Sequence, residues 1–161
     1  MSEKPPISSF ALGSNGPASG GPKGPPRDVR VAARVSIKGV EDIVEARQKG
    51  RALAQELGFS MTQSTLVATA ISELARNIVL YANKNGEIVL SRVSTESHVG
   101  LIITASDKGP GIPNIQHALM SGYSSSGGLG LGLPGVRQMV DEFDIKSRPG
   151  EGTQVTALMW L

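Results

Sequence analysis

From Val29 to Ile37 apolar side chains fall at every second position: Val29, Val31, Ala33, Val35 and Ile37 alternate with Arg30, Ala32, Arg34 and Ser36. A period of two with one apolar set predicts a half-buried strand, and Gly39 ends it. The spacing then lengthens. Residues 40–57 carry Val40, Ile43, Val44, Leu53 and Leu57 at helical intervals, with Gly58 as a stop signal. Gly50 works against that run, because glycine is a poor helix former. Residues 61–83 give the strongest helical pattern: Val67, Ile71, Leu74, Ile78 and Tyr81 form one stripe, closed by the turn residues Asn83-Lys84-Asn85-Gly86. A hairpin follows, in which Glu87–Val93 and Val99–Ala105 flank the polar turn Ser94–His98. Between Asp107 and Gly135 the chain is rich in glycine and proline and has few long charged side chains. Helical spacing returns over 130–142, and two strands, Phe143–Ser147 and Thr153–Trp160, meet at a Pro-Gly-Glu-Gly turn.

The order is therefore β α α β β, a glycine-rich loop, then α β β. This is not the strict alternation of a doubly wound parallel fold, and strands joined by tight turns pair antiparallel. The expected class is α/β (α+β): a two-layer sandwich, with a mixed sheet and helices on one face. The domain should occupy 27–161. Residues 1–26 include eleven Gly or Pro and read as a disordered leader, since they cannot bury enough apolar surface to offset the entropy of ordering. A docking peptide around Ile7 and Phe10 is the other reading of that leader.

Composition narrows the chemistry. With no cysteine, a disulfide framework, a thiolate metal site and a Cys nucleophile are all excluded. The two histidines, His98 and His117, are too few for a His-rich metal site. The net charge of +2 comes entirely from residues 1–30, so the domain itself is neutral and carries no nucleic-acid footprint. No apolar run approaches the ~20 residues of a membrane span, and the expectation is a cytoplasmic protein.

Four local features could carry a function. Glu73 and Asn77, at i and i+4, share a helix face beside the apolar stripe, where half-buried polar groups need partners. Asp107 follows the apolar strand VGLIITA and opens Asp107-Lys108-Gly109-Pro110-Gly111; it could present a carboxylate to a ligand or simply end the strand. Gly128, Gly130 and Gly132 precede a helix, where free backbone N–H groups suit anionic oxygens. Gly152-Thr153 opens the last strand. No Walker A loop is present, and the match of residues 130–135 to a dinucleotide-binding loop lacks the buried strand that should precede it.

In this order and spacing, the four features resemble the motif series of the GHKL ATP-binding superfamily, whose domain is the Bergerat fold. The segments ISELARNIVLYA (71–82), DKGPGIPNI (107–115) and GYSSSGGLGLGLPGVRQMVDEFDIKS (122–147) are similar to the RsbT-type serine kinases of the bacterial stressosome. The resemblance implies a protein serine/threonine kinase using ATP and Mg²⁺. Asn77 would ligate the Mg²⁺, for which an amide oxygen is a suitably hard ligand. Glu73 would accept the proton of the attacking hydroxyl. Asp107 would accept a hydrogen bond from the adenine amino group, with Thr153 assisting through water. Gly109 and Gly111 would let the backbone pass close to the base. Gly128, Gly130 and Gly132 would wrap the phosphates, and residues 112–129 would be a mobile lid. One departure stands out: 112–129 contain no Lys or Arg, whereas phosphoryl transfer depends on neutralising the transferring group. Either Mg²⁺ and the lid amides suffice, or Lys108, Arg137 or a partner's residue serves in place of the missing cation.

By the same resemblance, the partners would be a STAS-domain scaffold protein of a stressosome and, after release, a PP2C-type phosphatase that the kinase activates; neither nucleic acid nor membrane is expected. Two alternatives remain: an anti-sigma factor kinase acting on an anti-anti-sigma STAS protein, and a non-catalytic nucleotide-dependent binding module. A sensor histidine kinase is disfavoured, because no helix hairpin with a phospho-acceptor His precedes the domain.

Overall fold

The computed structural model describes residues 27–83, 85–120 and 132–161. The elements are β1 (Asp28–Ile37), α1 (Val40–Leu57), α2 (Met61–Tyr81), β2 (Gly86–Ser94), β3 (Val99–Asp107), α3 (Ile115–Ala118), α4 (Gly132–Met139), β4 (Glu142–Arg148) and β5 (Gly152–Trp160). They reproduce the expected order and add one short helix, α3, within the glycine-rich stretch. Helix α4 is shorter than the 130–142 expected; residues 130 and 131 lie outside the described residues. At its other end Asp141 leaves the helix to join β5, its N–H donating to the Leu158 carbonyl and its carboxylate accepting from the Trp160 N–H.

The longest helix is fixed by a capping box. The Ser60 hydroxyl accepts from the Gln63 N–H, and the Gln63 side chain accepts from the Ser60 N–H, both at 3.1 Å. Val67, Ile71, Leu74 and Ile78 of its stripe are buried against α1 and the sheet, but Tyr81, expected to continue it, is exposed where the helix runs past the core. Gly50 finds its reason here. A Cβ at that position would lie 2.0 Å from Ile71 Cδ1, so the close crossing of α1 and α2 requires glycine there despite its poor helix propensity.

The five strands lie in the order β1-β2-β3-β5-β4, and every neighbouring pair is antiparallel. The two-layer sandwich stands, but the sheet is not mixed. The crossover through α4 does carry the chain to a strand parallel to β3. That strand, β4, goes to the sheet edge, and its hairpin partner β5 takes the place beside β3, so no parallel pair forms.

The alternation in β1 also resolves differently from its one-face reading. The register shifts between Val31 and Ala33, leaving Ala32 as an extra residue. Beyond it, Ala33 and Val35 oppose Leu90 and Ile88, which face the helices; before it, Val29 and Val31 oppose Val93 and Ser91 on the other face. One odd-numbered series thus serves both faces. Val35 and Ile37 are core residues, while Val29 and Val31 are 37% and 53% exposed.

Candidate functional site

Three strands end together. Asp107 closes β3, Thr153 lies directly opposite it near the start of β5, and Ser147 on β4 lies opposite Thr153. All three continue the helix-facing series of their strands, after Ala105, Val155 and Ile145. Ser147 Oγ accepts from the Ile112 N–H at 2.7 Å, donates to the Gly152 carbonyl at 3.1 Å and lies 2.8 Å from Thr153 Oγ1. A serine has one proton. With that proton on the Gly152 carbonyl, the Thr153 hydroxyl must donate to Ser147, which leaves its own lone pairs as acceptors. Asp107 Oδ1 accepts from the Gly109 N–H at 2.8 Å, so Asp107 and Thr153 form a half-buried acceptor pair. A cavity of about 520 Å³ opens beside Asp107, Ser147 and Thr153, bounded also by Ile115, Lys146 and Arg148. It is an open concavity at the strand ends, and neither Glu73 nor Asn77 lines it.

Glu73 and Asn77 lie one turn apart on α2, both half-buried. The Glu73 carboxylate accepts from the Gly132 N–H at 3.3 Å, across 59 residues of sequence. Gly132 opens α4 with φ +48°, and a carboxylate at a helix start is favoured by the helix dipole. The expected acid and the start of the expected anion-binding helix therefore meet. No hydrogen bond among the described residues joins this pair to the Asp107–Thr153–Ser147 group. What connects the two is the turn after β3: the Lys108 N–H donates to the Asn85 carbonyl at 3.1 Å, just beyond the end of α2.

The glycines of that turn are explained by protein neighbours. A Cβ on Gly109 would lie 2.8 Å from Ala82 Cα, and one on Gly111, at φ +77°, would lie 2.2 Å from the Arg148 carbonyl oxygen. Their first requirement is close packing onto α2 and the β4–β5 hairpin. Gly128 and Gly130 lie outside the described residues, as does much of the expected lid, 121–129. Lys108 and Arg137, the suggested substitutes for a lid cation, are both exposed. Ser147 went unnoticed in the sequence; its signal was a hydroxyl at an inward position of β4, where Phe143 and Ile145 are apolar.

The antiparallel sheet with its helix layer and the α2 and strand-end residues define a class, and comparison with known families agrees. Residues 62–161 match the histidine kinase-, DNA gyrase B- and HSP90-like ATPase family, and the chain belongs to it. Within that class the chain is 53% identical over 120 residues to the serine/threonine-protein kinase RsbT of Bacillus subtilis (strain 168), covering 74% of this chain and 90% of that protein. It is 31% identical over 114 residues to an anti-sigma F factor of Clostridium beijerinckii, covering 68% of this chain and 80% of the relative. The motif resemblance is borne out: this is an ATP-using protein serine/threonine kinase of the RsbT type. Among the described residues no helix is long and apolar enough to cross a membrane.

Proposed function

We propose that this kinase binds Mg·ATP between α2 and the strand ends, and transfers the γ-phosphoryl group to a serine or threonine of a STAS-domain scaffold protein in the cytoplasm. Phosphorylation would weaken the scaffold complex, and the freed kinase would activate a PP2C-type phosphatase. The observation that carries this reading is the Glu73–Gly132 contact, which sets a carboxylate beside the amide end of α4.

The donor set fits the cofactor. Asp107 and Thr153 present acceptors, as an amino-bearing base requires. Asn77 offers a neutral hard oxygen on the same helix face as Glu73. Among the described residues no three His, Cys, Asp or Glu side chains converge, so a metal held by Asn77 would draw its other ligands from phosphate and water, the habit of Mg²⁺. When bound, that ion would neutralise phosphate charge. Glu73 would take the proton of the acceptor hydroxyl once phosphate oxygens replace it at the Gly132 N–H. Gly128, Gly130 and Gly132 would hold those oxygens with backbone amides.

The test compares two variants after confirming that each is folded. Glu73→Ala should retain Mg·ATP binding and lose transfer by ~10²–10⁴-fold, the range of general-base catalysis. Asn77→Ala should lose Mg²⁺-dependent binding as well. A folded Glu73→Ala protein that phosphorylates its STAS partner at the wild-type rate would remove Glu73 from the base role. The likeness to an anti-sigma F factor supports a second reading, in which a sigma factor is the alternate partner; pull-downs against both partner classes separate the two.

A further inference from the structure

Helix α2 carries two charged residues among its 21, Glu73 and Arg76, and they stand one turn apart. The guanidiniums of Arg27, Arg30, Arg34 and Arg92 each reach a carboxylate. The side chains of the other described arginines have no hydrogen bond or ion pair among the described residues. Arg47, Arg51, Arg137 and Arg148 are exposed, where water serves them; Arg76 alone of that group is half-buried. A guanidinium has five N–H donors, and drawing it part-way out of water without an anion is costly. Glu73 is its neighbour on the helix surface, yet no ion pair joins the two, and the Glu73 carboxylate accepts from the Gly132 N–H.

The helix geometry says which anion Arg76 faces. At about 100° per residue, Asn77 lies about 40° to one side of Glu73 and Arg76 about 60° to the other. The proposed base therefore separates the arginine from the proposed metal ligand. Phosphates gathered on the Asn77 side reach Glu73 from one flank, and the acceptor hydroxyl with the chain that bears it comes from the other. Helical side chains lean toward the N-terminus, which brings the guanidinium back over the turn of Glu73. Along the same flank, the hydroxyls of Thr65, Thr69 and Ser72 donate to carbonyls four residues earlier, each at 2.9 Å. An arriving protein thus meets a single cation on this helix and no hydroxyl proton still to be satisfied.

We propose that Arg76 selects the phospho-acceptor protein by pairing with a carboxylate that flanks the acceptor serine or threonine. This rests on the reading of Glu73 as the base and adds the chemistry of the acceptor: an acidic residue beside the hydroxyl. The planar fork of a guanidinium fixes the orientation of a carboxylate, and a basic residue in its place would be repelled. Neutralised by Arg76, the acceptor's carboxylate can also sit near Glu73.

The test is phosphate transfer from Mg·ATP to the STAS-domain acceptor by the full chain. Arg76→Glu should raise the KM for the acceptor by about tenfold or more, with the Mg·ATP affinity and unfolding midpoint of the wild type. Arg76→Lys, which keeps the charge but loses the fork, should fall between. Converting the acceptor's acidic residues nearest the phosphorylated hydroxyl to Arg, one at a time, should restore transfer by Arg76→Glu at one position. A wild-type acceptor KM in Arg76→Glu would overturn the proposal, and so would the absence of rescue at every such position. A fall in Mg·ATP affinity matching the loss of transfer would also overturn it, by assigning the guanidinium to the phosphates. A wrong base shows separately, as wild-type transfer by Glu73→Ala, and leaves the KM comparison readable.

Discussion

Ser147→Ala removes one oxygen that braces the loop after β3, the β4–β5 hairpin and Thr153. Three contacts go with it: the Ile112 N–H, the Gly152 carbonyl and the Thr153 hydroxyl, at 2.7, 3.1 and 2.8 Å. Hydrogen bonds of this kind contribute roughly 0.5–1.5 kcal/mol each, and the donors left behind are only part-buried, so water recovers some of the loss; about 2 kcal/mol should remain. For a domain of this length, about 4 °C per kcal/mol turns that into a midpoint lower by roughly 8 °C. Thr153 also loses the partner that orients its lone pairs, and ATP affinity should fall about threefold to tenfold, close to 1 kcal/mol. Ser147→Thr keeps the hydroxyl and should recover most of both losses. Thermal unfolding without nucleotide and calorimetric titration with Mg·ATP measure the two effects separately. A Ser147→Ala protein with the wild-type midpoint and affinity would refute the bracing role. A lower midpoint with unchanged affinity would leave the brace intact but take Thr153 out of nucleotide recognition.

Asp107→Asn keeps the oxygen that holds the Gly109 N–H but turns the other into a donor. ATP affinity should fall about tenfold to a hundredfold, the ~1–3 kcal/mol of an unpaired buried polar group, and equal affinity by calorimetry would remove Asp107 from the base site. Gly50→Ala gains up to about 1 kcal/mol of helix propensity but drives a methyl into the fully buried Ile71 at about 1–3 kcal/mol. A net loss is therefore expected in denaturant unfolding. Ile71→Val deletes the clashing Cδ1, so Gly50→Ala should become neutral or stabilising in that background; the same loss in both backgrounds would contradict the account.

What the sequence disclosed, it disclosed through periodicity and order. The α2 stripe, the β2–β3 hairpin and the motif series around Glu73, Asn77, Asp107 and Thr153 were all legible, because each is local or follows a fixed sequence order. What escaped depends on neighbours. Alternation assigns a side chain to a face but not a strand to a partner, so β5 stepping between β3 and β4 was invisible. Gly50 looked like a defect until Ile71 was seen against it. Ser147 is an unremarkable serine until β4 places it beside Thr153.

The extra residue in β1 has its own consequence for what variation the strand accepts. Ala32 is exposed and opposes nothing, so almost any side chain is admissible there, yet its removal would swing Val29 and Val31 toward the helix layer. At that position the constraint falls on the number of residues and not on their identity. The constraint differs on either side of it. Ala33, Val35 and Ile37 must satisfy the volume of the core, while residues 28–31 are exposed. Variation across β1 should therefore divide at residue 32, with size limiting the inward positions after it and solvent exposure leaving those before it freer.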